Sequence, residues 1–428
     1  MTGILRQARG LMLPLLLNGG SAVVAQGATL ALMIILARAL GPAELARYSI
    51  MQNTLTTVAA VTQFGLAFTV TKFIASSLTR DPGQVASVLS FAVRTTLAFS
   101  IIAAVLLGAC APLLSEIMYN DNSVAPFLLL SAISIPFLAL NLIYAGALNG
   151  AQNYKSIALS TGIGAIALLG FGIAGGLIWG AIGAAVALAV TTFLRWYLFR
   201  RSSLALSIVP TKERYSFRTT LAGIWRFALP AGLIGLTLTP AIWITNALLA
   251  RYEGLTDLGI FVTAFTVKSL VVFIPQQFAA VFFPRYIALA NVDFDRGARS
   301  LRLATLAICF ISSALAISVV LVAPSLMHVF GSSFLDGSQV LKYLMVAAVA
   351  ESIATILSYR LAAQDRMWLS FAVYSTPKDI ILITSAFFLI PIYGSTGLAL
   401  AHAFAWIYGV IALIGLAVGS PRSGGTLV

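Results

Sequence analysis

The strongest constraint on the fold of this chain is that its apolar segments are written twice. Leu36-Ala37-Arg38-Ala39-Leu40-Gly41-Pro42-Ala43-Glu44-Leu45 reappears as Leu249-Ala250-Arg251-Tyr252-Glu253-Gly254-Leu255-Thr256-Asp257-Leu258. At the same offset Tyr48 meets Phe261, Gln63 meets Gln276, and Lys72-Phe73-Ile74-Ala75 falls on Arg285-Tyr286-Ile287-Ala288. Further along, Ala111-Pro112-x-Leu114 pairs with Ala323-Pro324-x-Leu326, and Ala151-Gln152-Asn153 with Ala363-Gln364-Asp365. Trp179-Gly180-x-x-Gly183 pairs with Tyr393-Gly394-x-x-Gly397. Shared order and spacing make the series a duplication, and a duplicated membrane protein has two matching lobes, the usual machinery of alternating access.

The membrane class follows from charge. Hydrophobic residues are 60% of the chain and charged ones 9%, against roughly 45–50% and about 25% in soluble domains. Apolar segments of about 20 residues, enough to cross roughly 30 Å of hydrocarbon, run near 11–37, 45–68, 86–113, 123–148, 156–176 and 178–199. They recur near 223–249, 257–283, 301–327, 338–360, 367–390 and 394–417. The expected fold is all-α and polytopic, with about 12 transmembrane helices in two parallel six-helix repeats around a central cavity. The lobes are residues 1–200 and 223–428, joined by a basic amphipathic linker, 201–222, on the cytoplasmic face. The first segment is too long for a signal-peptide core and reads as an uncleaved helix.

Positive charge orients these spans. Arg6, Arg9, Lys72, Arg80, Lys155, the linker cations, Arg285, Arg296, Arg299, Arg302, Arg360 and Arg366 fall on one side. The other side has Arg38, Arg47, Arg251 and Lys342 beside Glu44, Glu116, Asp121, Glu253, Asp257 and Asp336. Both termini are therefore expected in the cytoplasm. The net charge of +13 is a topology signal and an attraction to anionic membrane lipid. Its dispersal over short loops points away from nucleic acid.

Little else in the sequence carries chemistry. Cys110 and Cys309 lie in apolar helices and read as small buried packing residues. His328 and His402 have no third ligand at metal-binding spacing. The sequence has no P-loop and no Ser-His-Asp spacing, so the expectation is a non-enzyme without cofactor or metal.

What remains is a few ionisable residues deep in helices, where an idle charge is costly. Lys268, Glu351, Lys378 and Asp379 all lie in the second half. Lys268, Lys378 and Arg94 are the candidate cavity cations for an anion; Glu351 and Asp379 are the candidates for coupling to H+ or Na+. The competing reading makes the four charges structural ion pairs. Neighbours on a helix diverge by about 100°, so Lys378 and Asp379 are not expected to pair with each other. At similar depth the first half offers neutral Asn18, Gln26, Asn53, Gln63 and Asn141, of which Asn53, Gln63 and Asn141 are the polar cavity candidates. Pro136, Pro240, Pro275 and Pro377 permit bends within spans.

Ile35-Leu36-Ala37-Arg38-Ala39-Leu40-Gly41-Pro42 with Tyr48 resembles the first-hairpin signature of polysaccharide transporters in the multidrug/oligosaccharidyl-lipid/polysaccharide exporter superfamily. Thr245-Asn246-Ala247-Leu248-Leu249-Ala250-Arg251, Gly259-Ile260-Phe261, Lys268, Phe273-Ile274-Pro275 and Pro284 are similar to O-antigen (Wzx-type) flippases. The resemblance covers essentially the whole chain. It implies transfer of undecaprenyl-pyrophosphate-linked oligosaccharide between leaflets of the bacterial inner membrane, with polysaccharide polymerase or ligase proteins as partners. The family often has Arg at Lys268; Lys keeps the charge but loses the two-pronged grip on phosphate. A cation-coupled multidrug exporter of the same superfamily and a non-transporting scaffold for polysaccharide assembly are the alternatives. A membrane-embedded glycosyltransferase fits less well with acid-poor loops.

Overall fold

The computed structural model of the chain describes residues 2–77, 82–205, 233, 237–292, 294–364 and 366–418. Helix α1 (Thr2–Leu40) ends at Gly41, and α2 (Pro42–Thr62) starts at once. Gly41 has φ 79°, a left-handed turn that costs glycine little; Pro42 at the first helical position has no N–H to leave unsatisfied. The same device recurs in the second half. Gly254, φ 89°, separates α7 (237–253) from α8 (Leu255–Val292).

The segment near 45–68 is bent rather than straight. The turn at 63–65, with Phe64 and Gly65 at φ 47° and 70°, bends α2 by 58° into α3 (Leu66–Ser77). Helix α3 leans on α5 (Ala125–Gly150) at two glycines one turn apart. A Cβ at Gly146 would lie 2.6 Å from the Ala67 carbonyl oxygen, and one at Gly150 would lie 2.6 Å from that of Thr71. The Thr71 hydroxyl donates to the Gly146 carbonyl across this contact at 2.9 Å. Small residues spaced by four let two backbones meet in this way.

Helix α4 (Pro82–Tyr119) and α6 (Tyr154–Ala205) complete the first half, and α5 packs against α2, α3, α4 and α6. Helix α6 reverses at Gly180, φ 68°. A Cβ at Gly183 would lie 2.0 Å from the Gly175 carbonyl oxygen, so the two arms touch backbone to backbone. The second half repeats the plan with α9 (Phe294–Leu321), α10 (Ala323–Phe330), α11 (Gly337–Ala363), the short α12 (Met367–Leu369) and α13 (Thr376–Val418). Helix α11 packs against α9 and α13 as α5 does against α4 and α6. Helix α13 reverses at Gly394, φ 56°, where a Cβ at Gly397 would lie 2.2 Å from the Leu389 carbonyl oxygen.

Eight described helices are long and apolar enough to cross a membrane, nine with the bent α2–α3 pair counted as one span. Counting both arms of α6 and of α13, and 237–253 as the described part of another span, gives the twelve expected. Large apolar side chains such as Val105, Leu106, Phe310 and Leu321 are exposed on outer faces, as hydrocarbon rather than water requires. Cys110 is exposed and Cys309 half-buried. This corrects the expectation that both are buried, since a thiol facing lipid needs no core. By contacts the chain forms two compact units, Met1–Val262 with His328–Phe334 and Thr263–Met327 with Leu335–Val428. Most of the expected amphipathic linker lies outside the described residues.

Between α4 and α5 a polar staple closes the first half. Arg47 on α2 donates to the Ser123 hydroxyl at 2.8 Å and pairs with Asp121 at 3.4 Å and with Glu44. Burial acts to raise the Asp121 carboxyl, but the Ser123 hydroxyl and N–H and the Arg47 guanidinium outweigh it, holding the group below its ordinary 3.8. With the folded value depressed, the staple contributes fully above about pH 4 and fades as acid carries pH through the folded value. Amide exchange at 120–124, corrected for its intrinsic pH dependence, is expected to quicken over that acid range. Asp121→Asn should exchange fast already at neutral pH and show no acid step.

Candidate functional site: a buried charge cluster in the second unit

Lys268 on α8, Glu351 on α11 and Lys378 and Asp379 at the start of α13 all belong to the second unit. Lys268, Lys378 and Asp379 are each 3% exposed. The Lys268 ammonium is ion-paired with Glu351, and the Lys378 ammonium with Asp379. The second pairing corrects the expectation drawn from the helical wheel. Four methylenes let the Lys378 ammonium swing back across the 100° between neighbouring positions, and burial leaves it no water to prefer.

Aromatic rings frame these pairs. The Lys268 Nζ lies 4.7 Å from the Phe265 ring centroid and 5.9 Å from that of Trp406; the Lys378 Nζ lies 4.5 Å from Trp406. One indole therefore serves both ammonium groups, a favourable arrangement for a desolvated cation. His402, one turn before Trp406, packs its ring 5.4 Å from Phe265, within electrostatic reach of both lysines. Tyr374 is similarly within reach of Glu351 and Asp379. Glycine at 409 makes the room, since a Cβ there would lie 2.9 Å from the Tyr374 ring and 3.4 Å from Lys378 Cδ.

Backbone chemistry sets the register of the cluster. Residues Ser370–Ser375 form a π-helical turn immediately before α13. Pro377 has no N–H for the Val373 carbonyl four residues back; the Tyr408 hydroxyl donates to that carbonyl instead, at 3.1 Å. The π-helical turn is thus tied to the second arm of α13. Lys378 and Asp379 follow it directly, and the site occupies a helix irregularity of the kind often found at functional positions.

The cluster carries two positive and two negative charges, and so is balanced within the chain. In and beside the cluster, Asp379 Oδ2 and Thr376 Oγ1 are buried with no hydrogen-bond partner among the described residues. Among those residues no three His, Cys, Asp or Glu side chains approach closely enough to hold a metal.

The remaining candidates lie in the first unit. Arg94 is exposed on α4. Asn53 donates to the Ser49 hydroxyl on its own helix at 3.3 Å. Gln63 stands at the α2–α3 bend with its carbonyl oxygen buried and without a partner among the described residues. Asn141, 3% exposed, donates to the Thr192 carbonyl at 3.2 Å and ties α5 to α6. Sequence reasoning missed Trp406, Phe265 and Tyr374, whose residue types are ordinary in apolar helices. It also passed over Arg195 on α6, whose stem lies against Gly164 and whose Nε is buried without a partner among the described residues. Arg195 had a legible signal, as a charge one turn inside the end of the apolar segment 178–199.

The fold is that of transporters of the MOP superfamily. The chain resembles the inward-facing conformation of a multidrug resistance MATE family transporter with a TM-score of 0.75 and 17% identity, over 92% of this chain and 96% of that one. It resembles the lipid II flippase MurJ in its inward closed conformation with a TM-score of 0.78 and 16% identity, over 95% and 88%. A MOP superfamily transporter from Pyrococcus furiosus, reported with a binding pocket of reversed polarity, aligns at a TM-score of 0.67 and 17% identity over 94% and 92%. No curated protein matches the sequence. The polysaccharide biosynthesis protein family matches residues 15–289, and the chain belongs to that family.

Proposed function

We propose that this protein is a flippase. It moves undecaprenyl-pyrophosphate-linked oligosaccharide, an O-antigen or related unit, from the cytoplasmic to the periplasmic leaflet of the bacterial inner membrane by alternating access. Its termini lie in the cytoplasm, and the two lobes are residues 1–200 and 223–428. The observation that carries the reading is a pair of membrane-buried lysines around one indole in a chain of the polysaccharide biosynthesis family. An ammonium kept inside a membrane calls for a functional explanation, and a diphosphate is the anion this cargo supplies.

Ion pairing gives the lysines a resting state. Glu351 and Asp379 hold both ammonium groups in place before cargo enters; phosphate oxygens of the cargo then take over one or both partners. The polyprenyl tail stays in lipid. An inside-negative potential favours outward passage of negative charge by about 2.3 kcal/mol per charge per 100 mV.

Flipping of lipid-linked oligosaccharide in reconstituted vesicles tests this. Lys268→Ala, at unchanged protein level, is expected to lose most of the activity. Undiminished flipping removes Lys268 from the mechanism. Two carboxylates, Asp379 buried and Glu351 half-buried, in a cluster that holds an indole also suit a cationic drug; resistance conferred on a pump-deficient strain would favour that second reading.

A further inference from the structure

The geometry points to the Lys378 ammonium as a built-in replacement for a coupling cation: it fills the place a monovalent metal ion would take beside Asp379, so the protein works without Na+ or K+. Asp379 is buried, its Oδ1 is ion-paired with Lys378, and its Oδ2 has no partner among the described residues. Thr376 Oγ1, three residues earlier and so on the same helix face, is also buried without a partner there. The Trp406 ring face lies 4.5 Å from the ammonium. Carboxylate oxygens, a hydroxyl one turn back and an aromatic face make a lining suited to a small cation, and a tethered cation already holds Oδ1 and the ring face. The Lys268 ammonium is likewise ion-paired with Glu351, so each carboxylate already carries a tethered counter-charge.

Replacing Lys378 by methionine keeps most of the side-chain volume and removes the charge. Asp379 then faces the interior with neither oxygen neutralised, and Na+ gains a binding place coupled to the folded state. Thermal unfolding of the purified protein in detergent reads this without any cargo. In buffers of matched ionic strength, the parent is expected to melt at one temperature in Na+, K+ or choline. Lys378→Met is expected to melt several degrees higher in about 100 mM Na+ than in choline, as mass action requires of an ion that binds only the folded form. Lys378→Met/Asp379→Asn should fold and lose the response. A sodium response in the parent overturns the inference. So does a Lys378→Met protein indifferent to Na+, including one stabilised only by acid. So does one that stays unfolded with Na+ present while the double variant folds.

The transport arm rests on the flippase reading: parent vesicles flip equally in Na+, K+ and choline, whereas Lys378→Met requires Na+ for whatever flipping it retains. Absence of flipping under every condition counts against the flippase reading alone. The melting comparison then still decides the cation question.

Discussion

Glu351→Ala is expected to be among the most damaging single substitutions in the protein, costing about 3–5 kcal/mol of stability. It leaves the Lys268 ammonium, 3% exposed, without the only carboxylate in ion-pair distance among the described residues. The nearby rings of Phe265 and Trp406 offset roughly 0.5–2 kcal/mol of that deficit. Removing both partners should cost far less than removing one, because the penalty belongs to the stranded charge rather than to the lost attraction. Lys268→Met/Glu351→Leu is therefore expected to melt close to the parent, with Glu351→Gln between the extremes. Melting temperatures of the parent, Lys268→Met, Glu351→Leu and their double variant in one detergent complete the double-mutant cycle that checks this. A Glu351→Ala protein as stable as the parent would mean that Lys268 reaches water or lipid headgroups, and that its ammonium is not desolvated.

The charges themselves were legible because a membrane helix carries few of them, so Lys268, Glu351, Lys378 and Asp379 stand out against their apolar surroundings. How they pair was not legible. A helical wheel locates Cβ atoms, whereas a lysine ammonium sits several bonds further out and can reach its neighbour's carboxylate. Trp406, Phe265 and Tyr374 were hidden for a different reason. Aromatic residues are common in membrane helices, and which of them face the lysines depends on the π-helical turn at 370–375 and the reversal at Gly394.

The fold was legible wherever its punctuation required one residue type. Gly41 and Gly254, and Gly180 and Gly394, all have positive φ, a conformation that penalises a side chain, so both copies of the repeat keep glycine and the match survives in sequence. The bend at 63–65 is not shared between the halves. Gly65 there has positive φ, whereas its counterpart Phe278 lies within the continuous helix α8, so the bend left no matched pair in the repeat; Gly146 and Gly150 then let α3 close on α5.

Gly183→Ala and Gly397→Ala are expected to destabilise the protein by similar amounts, each by about 1–3 kcal/mol or more. In both, the added methyl would meet a backbone carbonyl rather than a movable side chain: that of Gly175 at 2.0 Å in the first half and that of Leu389 at 2.2 Å in the second. Relief requires the two arms of a hairpin to separate, which opens a void along the seam. Gly162 and Gly170 provide the contrast, since a Cβ at either has nothing within 4 Å. Alanine there removes the conformational cost of glycine inside a helix, worth roughly 0.5–1 kcal/mol, so these variants should melt at or above the parent temperature. Gly180→Ala and Gly394→Ala separate conformation from contact. Gly180 has open space around its Cβ position, and the penalty there comes only from holding alanine at φ 68°, of order 1–2 kcal/mol. Melting curves of the purified variants in one detergent check the ranking. Equal losses at Gly162 and Gly183 would show that the hairpin arms do not touch, and with that contact would go the structural reason for the repeated Gly-x-x-Gly.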